Sequence, residues 1–389
     1  MLLETLYDAV ELHREDRIIY ARFLKPHKVL STCRVAGGLQ TGLKYVYNHQ
    51  SCEPSGHHHG VAMKLARQPE KYRELICERY GLPDDACATL GTAANMKNAC
   101  IETRSFRDLS VTVVCTGGVE GNAGRAGDPA SMVETPEGFE KLPATAEVPP
   151  AGTINMMLFF SKPLVQGAMA RVIMTATEAK SAALQELAVS SLYSDGLATG
   201  TGTDQIAVCA LQSDDAPLTS AGKHSKLGEL IGKAVHAAVK GTLALQNGMT
   251  PASQCSAVIH LKRFGMKRDE IIDTICSYLN NEQATLLRHS FLPVERDPAT
   301  VAAVAALVHM KDKFKWGVLP QGCWKDVISA SAAQVACAVS GNYIMMREFM
   351  EMLAPAGGHE DNRRFLELAC RALALGFAEK WNEKELQHV

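Results

Sequence analysis

The sequence predicts a layered α/β or α+β N-terminal domain with a central sheet and packed helices over residues 1–248, followed by an all-α C-terminal domain over residues 249–389. Three observations lead there. Up to about Asn247 short apolar runs alternate with glycine-rich turns, the rhythm of layered strands and helices. After Met249 glycine turns become sparse and the apolar residues take helical spacing. The chain has 389 residues, 47% of them hydrophobic, enough for two cores.

In chain order, Asp16 to Phe23 and Lys28 to Cys33 have strand character, as does the β-rich run Ser110 to Cys115. Ile154 to Phe160 is apolar on both faces, which marks a central strand, and Ile206 to Leu211 is a second run of that kind. Between these two, Met169, Val172, Ile173, Ala176, Ala179, Ala183, Leu184 and Leu187 form one apolar stripe, so Gly167 to Leu187 is expected to be helical. Another helix is expected from about Ser225 to Leu245, burying Leu227, Leu230, Ile231, Ala234, Val235 and Ala238. The proline-rich stretch Pro129 to Pro150 has few large apolar residues and is expected to be a surface excursion. Beyond the boundary near Asn247 to Pro251, helices are punctuated at Pro293, Pro298, Pro320 and a Pro355 to Gly358 turn. No repeat recurs at a fixed period.

The charge balance removes several classes of function. Forty basic and 42 acidic residues give a formal charge of -2, with no long run of Lys or Arg, so nucleic acid is not an expected partner. No apolar stretch reaches the roughly 20 residues of a membrane span, and the Met1-Leu2-Leu3-Glu4 start lacks the basic character of a signal peptide. A cytoplasmic protein without a membrane partner is expected. The twelve cysteines are scattered, without a C-x-x-C pair, and Cys115, Cys209, Cys276 and Cys337 fall in apolar patterns; reduced, mostly buried thiols are expected.

Several stretches concentrate groups able to do chemistry. Thr199-Gly200-Thr201-Gly202-Thr203-Asp204 precedes the strand at Ile206, and its glycines would let backbone N–H groups converge on a ligand beside three hydroxyls and a carboxylate. A plain strand-entry turn rich in Thr is the competing account. No Gly-Lys-Ser/Thr completes a phosphate loop there. After the Ser110 strand, the loop from Thr116 to Asp128 carries Asn122, Arg125 and Asp128 among five glycines, suited to an amide-rich ligand or else simply a surface loop. Asn155 enters the buried strand, where its amide must either bond backbone or point into a site. On the helix after Gly167, Thr175 and Glu178 share a face, and Thr177 neighbours Lys180 and Ser181; a Glu and a Lys at one cleft could serve as base and acid, or could be solvated. Ser225 suits an N-cap, which places His224 at a helix start as a candidate acid or as part of an ordinary cap. His57-His58-His59 lacks the i, i+4 spacing of helical zinc ligands and is expected to be a surface loop.

Taken in order, Ser31-Thr32, Gly37-Gly38, Asn48, Thr92-Ala93-Ala94, the Thr116 to Asp128 loop, Gly152-Thr153-Ile154-Asn155, Thr175 to Lys180, Thr199 to Asp204 and His224 to Glu229 resemble the CbiZ family, the adenosylcobinamide amidohydrolases of corrinoid salvage. The ordered set spans about residues 25 to 240. The resemblance implies hydrolysis of the amide that joins the aminopropanol arm to the corrin ring, giving adenosylcobyric acid and 1-amino-2-propanol. It implies a corrinoid as the small-molecule partner and no cofactor of the protein's own, the cobalt belonging to the substrate.

Amide hydrolysis needs an attacking oxygen, an oxyanion pocket and an acid for the leaving amine. Among the matched positions, Asp204 or Glu178 is expected to activate water, and Lys180 or His224 to assist the amine. The Gly200 to Thr203 turn, or Asn155 and Asn122, would steady the oxyanion. Thr201, Thr203 or Ser31 as nucleophile is the rival route. Ser31, Asn48, Thr116, Asn122, Arg125, Asp128, Asn155 and Thr201 are the expected substrate contacts. A corrinoid carrier that cleaves nothing is the alternative function, and a nucleotide-dependent transferase is disfavoured because the Gly-Thr turn has no Lys. The helical part, 249–389, lies outside the resemblance and is open to three roles: a partner site, a cover for the corrinoid site, or a second activity. A homo-oligomer is open as well.

Overall fold

The computed structural model describes residues 1–51, 68–136, 138–142 and 152–386. The chain divides into two compact units, Met1–Thr250 and Pro251–Val389.

The first unit begins with strands β1 (Leu2–Leu6), β2 (Val10–Glu15), β3 (Ile18–Phe23), β4 (His27–Ser31), β5 (Gly38–Thr41) and β6 (Tyr45–Gln50). Helix α1 (Pro69–Tyr80) leads to β7 (Cys87–Thr92), β8 (Cys100–Phe106), β9 (Leu109–Gly118) and the two-residue β10 (Ala123–Gly124). A hairpin of β11 (Met132–Thr135) and β12 (Gly138–Lys141) precedes β13 (Thr153–Phe160) and α2 (Gln166–Glu186). The short β14 (Gly200–Thr201), β15 (Gln205–Leu211) and α3 (Lys226–Asn247) complete the unit.

These strands form two principal sheets, a five-stranded one in the order β1-β2-β3-β6-β7 and a six-stranded one in the order β5-β4-β15-β13-β9-β8. The central position of β13 follows from its composition. All eight of its residues are buried, and it pairs in parallel with β15 and antiparallel with β9. Its alternate side chains serve two cores. Met157 and Phe159 face the five-stranded sheet, packing in one cluster with Leu12, Ile19, Val46 and Leu90. Ile154, Met156, Leu158 and Phe160 face helices α2 and α3, against Met169, Val172, Leu184, Ile231 and Val235. Helix α1 covers the other side of the five-stranded sheet through Ile76 and Cys77, which pack on Ile18, Tyr47 and Cys87. The layers therefore run helix, sheet, sheet, helix.

The layered α/β expectation describes this unit, with a second sheet that the sequence did not announce. The described part of the expected Pro129 to Pro150 surface excursion is largely exposed and forms the β11–β12 hairpin, with Met132 opposite Lys141 and Thr135 opposite Gly138. Thr135 and Gly138 are close enough for the Thr135 hydroxyl to donate to the Gly138 carbonyl, which helps close the turn. Helix α3 starts at Ser225, whose Oγ accepts the Gly228 N–H at 3.1 Å, and stops at Gly248 with φ of 64°.

The second unit is helical: α4 (Pro251–Gln254), α5 (Ala257–Leu261), α6 (Arg268–Cys276), α7 (Asn281–Glu295), α8 (Pro298–Lys315), α9 (Trp324–Ser340), α10 (Met346–Met352) and α11 (Asn362–Leu386), with short 3-10 turns between. Its core gathers Ile271, Leu287, Leu307, Ile328, Val335, Leu373 and Phe377. Pro298 opens α8, as a proline at a first helical turn should, whereas Pro293 sits inside α7 beside a break at Ser290. Lys311 is 1% exposed; its ammonium donates to the His359 carbonyl and lies 5.1 Å from the Phe264 ring and 5.3 Å from the Phe365 ring. No helix among the described residues is long and apolar enough to cross a membrane.

Candidate active site

The motifs that stand out in the sequence meet at one end of the two sheets. The carboxyl ends of β4, β6, β7 and β9 and the amino ends of β13 and β15 all open there, because β9 and β4 run antiparallel to their parallel neighbours β13 and β15. Two polar clusters occupy this end, one on each face of the six-stranded sheet.

The first lies between the sheets. Asn155, fully buried, donates through Nδ2 to Asn48 Oδ1 and to the Gly91 carbonyl, both at 2.9 Å, and accepts the Gln205 N–H at 3.1 Å. Asn48 in turn donates to Thr116 Oγ1 at 2.7 Å, and Gln205 Oε1 accepts the Gly91 N–H at 2.9 Å. The amide of Asn155 thus bonds backbone and side chain at once. Asn48 and Thr116 are 2% and 1% exposed, and with Asn155 these expected substrate contacts form a buried network that joins the two sheets. Ser31 is also buried, its Oγ accepting the Cys33 N–H at 3.4 Å.

The second cluster lies on the helix face, centred on Asp204. Oδ1 accepts the Ile154 N–H at 2.9 Å and the Thr201 hydroxyl at 2.5 Å. Oδ2 accepts the Thr201 N–H at 3.1 Å and forms an ion pair with Lys180, whose side chain is only 8% exposed. Lys180 reaches it from the buried face of α2, in line with Ala176 and Ala183. The turn can close this tightly because position 200 is glycine: a Cβ there would fall on Asp204 Oδ2 and lie 2.7 Å from the Lys180 ammonium.

Thr201 pairs with Ala123 across the β10–β14 ladder, which brings the Thr116 to Asp128 loop against the turn. Asn122 lies over the exposed Gly202, donates to the Gly152 carbonyl at 3.2 Å and accepts from the Tyr193 hydroxyl at 2.7 Å. The Thr203 and Thr153 hydroxyls are 2.6 Å apart, and both reach the Gly152 carbonyl. Arg125 and Asp128 hold the loop by its backbone. Asp128 Oδ2 accepts the Arg125 N–H at 2.7 Å and the Ser191 hydroxyl at 2.5 Å, while the Arg125 guanidinium donates to the Leu197 carbonyl at 3.3 Å. Burial pushes the Asp128 carboxyl up, but hydrogen bonds from Ser191, Ser194 and the Arg125 N–H outweigh it and hold the group below its usual range.

Glu178 and His224 do not join Asp204. Residues 178 and 180 project from opposite sides of α2, and Glu178 is exposed and paired with Lys223 at 2.7 Å. His224 lines the same surface groove of about 230 Å³, with Arg171, Met174, Glu178 and Ser225. Thr175, at its base, donates to the Ala221 carbonyl at 2.8 Å. Of the residues expected to be catalytic, the structure therefore brings together Asp204, Lys180 and Thr203, with Thr201, and separates Glu178 and His224 from them. Tyr193, Ser191 and Gln205 are partners that the sequence did not single out, and Thr153 enters there only as part of the Gly152 to Asn155 stretch. The His57 to His59 triplet lies outside the described residues, and among those residues no group of three His, Cys, Asp or Glu side chains is placed to hold a metal.

The model of the CbiZ family, adenosylcobinamide amidohydrolase, matches residues 3–251. The chain belongs to the CbiZ family. The match takes in both sheets and both polar clusters and stops where the helical unit begins. An uncharacterized protein of Methanocaldococcus jannaschii is 34% identical to the chain over 237 residues, which is 60% of this chain and 88% of the relative. Family membership makes this an amidohydrolase with a corrinoid as its substrate class.

Proposed function

We propose that the first unit hydrolyses the amide between the corrin ring and the aminopropanol arm of adenosylcobinamide, releasing adenosylcobyric acid and 1-amino-2-propanol in the cytoplasm. The observation that supports this reading is the Lys180–Asp204–Thr201 cluster, set at strand ends in the part of the chain that carries the family match. It combines a carboxylate to accept a proton, a hydroxyl, an ammonium and the backbone N–H groups of an exposed glycine turn. Those are the group types that amide cleavage uses.

The turn suits an oxyanion because Gly202 has no side chain to shield its N–H, and the Asn122 amide lies over it. Lys180 holds Asp204 from the helix side and faces Gly200, where nothing intervenes between the ammonium and the turn. The substrate's cobalt stays a bystander of this chemistry, which uses groups of the chain and water.

Incubating the protein with adenosylcobinamide and separating the products tests the proposal. Adenosylcobyric acid and 1-amino-2-propanol in equal amounts are the expected result. Tight binding of the corrinoid without product would make the protein a corrinoid carrier instead.

A further inference from the structure

We infer that the attacking oxygen is the hydroxyl of Thr201 and that hydrolysis passes through a threonine ester of the corrinoid acid. This rests on the amidohydrolase reading and identifies the nucleophile within it. A carboxylate has about four lone-pair sites. In Asp204 all four are taken, by the Ile154 N–H, the Thr201 hydroxyl, the Thr201 N–H and the Lys180 ammonium. No site remains for a water that it could activate. The one group on Asp204 that is both an O–H and partly exposed is the Thr201 hydroxyl, 2.5 Å from Oδ1.

The other hydroxyls of the motifs are placed differently. Thr203 Oγ1 is shared with the Thr153 hydroxyl and the Gly152 carbonyl, neither of which takes a proton at neutral pH. Ser31 is buried between strands, against the Cys33 N–H. Among Ser31, Thr201 and Thr203, Thr201 alone pairs a hydroxyl with a carboxylate, and that carboxylate is itself oriented by a third group, Lys180, in the way activated hydroxyls are usually held. The Ser191 hydroxyl, which donates to Asp128, belongs to a buried residue.

As the bond from Thr201 Oγ1 to the amide carbon forms, the hydroxyl proton passes to Asp204 Oδ1. The tetrahedral oxyanion collapses, the C–N bond breaks, and the departing amine takes that proton. Esterified Thr201 has no O–H, which frees its place on Asp204 Oδ1; water then adds to the ester carbonyl, giving its proton to that oxygen. The bond from carbon to Oγ1 breaks, and the proton returns to Thr201. The net change is one amide and one water converted to one acid and one amine. Lys180 is a positioning residue in this scheme: it fixes the carboxylate and touches no reacting atom.

The test uses the full chain with adenosylcobinamide, with and without hydroxylamine. An ester intermediate is captured by hydroxylamine as the hydroxamate of adenosylcobyric acid, while aminopropanol release is undiminished. Thr201→Ser should keep hydrolysis within about tenfold of wild type, and Thr201→Ala should lose about 1,000-fold or more. Because capture is measured on the unaltered protein, it does not depend on a variant folding. Wild-type turnover without hydroxamate overturns the nucleophile, as does Thr201→Ala hydrolysing within tenfold of wild type, and both leave the amidohydrolase reading standing. A wild-type protein that releases no aminopropanol overturns both.

Discussion

Asn155 of β13 donates to Asn48 of β6 across 2.9 Å, a side-chain bond that ties the six-stranded sheet to the five-stranded one inside the core. The Asn155 amide also satisfies the part-buried Gly91 carbonyl and Gln205 N–H, so an apolar replacement would leave three groups without this partner at once. Asn155→Leu should destabilise the first unit by about 3 kcal/mol or more and lower its thermal transition by roughly 5–10 °C. A transition within 1–2 °C of wild type, on the order of a surface change, would show that the network contributes little.

Gly200 permits the approach of Asp204 and Lys180. Gly200→Ala places a methyl group on the carboxylate and should displace it, reducing hydrolysis by about 100-fold or more while the fold persists. Circular dichroism matching wild type, beside a measured rate, distinguishes this outcome from unfolding; an unchanged rate would place the chemistry elsewhere.

Glu178 and His224 make the opposite case. Their groove lies on the solvent side of α2, with Glu178 bound to Lys223. With the reacting centre proposed at Asp204, Glu178→Gln and His224→Asn should each leave the hydrolysis rate within about threefold, since neither removes a group that contacts Asp204. A loss comparable to that of Asp204→Asn would move the active site to that groove.

Acid should destabilise the first unit through two buried imidazoles. Burial pulls His27 down to about 4, partly opposed by its bond to the Lys25 carbonyl. His49 is likewise pulled down to about 4 by burial, with Arg79 and Arg17 adding to the shift. His27 donates from Nδ1 to that carbonyl at 2.8 Å, so its Nε2, 3.0 Å from the Tyr7 hydroxyl, is the acceptor of the neutral ring. Protonation therefore favours the unfolded chain, where the imidazole has its ordinary value of about 6.5. The stability tied to the neutral rings is intact above about pH 6.5 and is lost progressively as pH falls towards 4, on the order of 3 kcal/mol for each ring. Urea unfolding between pH 7.5 and 4.5 should show this slope, and His27→Gln should flatten it. Identical slopes in the variant and the wild type would assign the acid sensitivity to other groups.

The legible parts of the fold are those in which one short segment carries its own signal. Ile154 to Phe160 is short and has no polar face, which suits a strand covered on both sides. The stripe from Met169 to Leu187 and the run from Leu227 to Ala238 likewise fix α2 and α3 to within a few residues. The five-stranded sheet was less visible. Its strands are short, and its turns place Tyr7, Asp8 and Asp16 at positive φ without the glycine that normally announces such a bend. The site divides in the same way. The Thr199 to Asp204 turn is local and could be read directly. Lys180 occupies a position in the apolar stripe of α2, but a lysine there acquires meaning only when Asp204 stands opposite it. Glu178, two residues away, looks equivalent in the sequence and lies on the other side of the helix. Thr153 and Tyr193 find their partners through pairings across the fold, which no spacing reveals.

The pairing of β4 with β15 also sets a schedule for synthesis. Thr32 Oγ1 accepts the Ile206 N–H from 174 residues further along the chain, and the whole β4 edge waits for that partner. The β1–β3 meander can form early, from neighbours in sequence, whereas the six-stranded sheet closes only after residue 211 has left the ribosome. Until then β4 presents an unpaired edge, and Asp204, Lys180 and Thr201 have not yet met. A nascent chain stalled short of that point would hold most of the first unit's apolar residues without the Asp204 cluster, and exposed apolar surface of that kind is what chaperones protect.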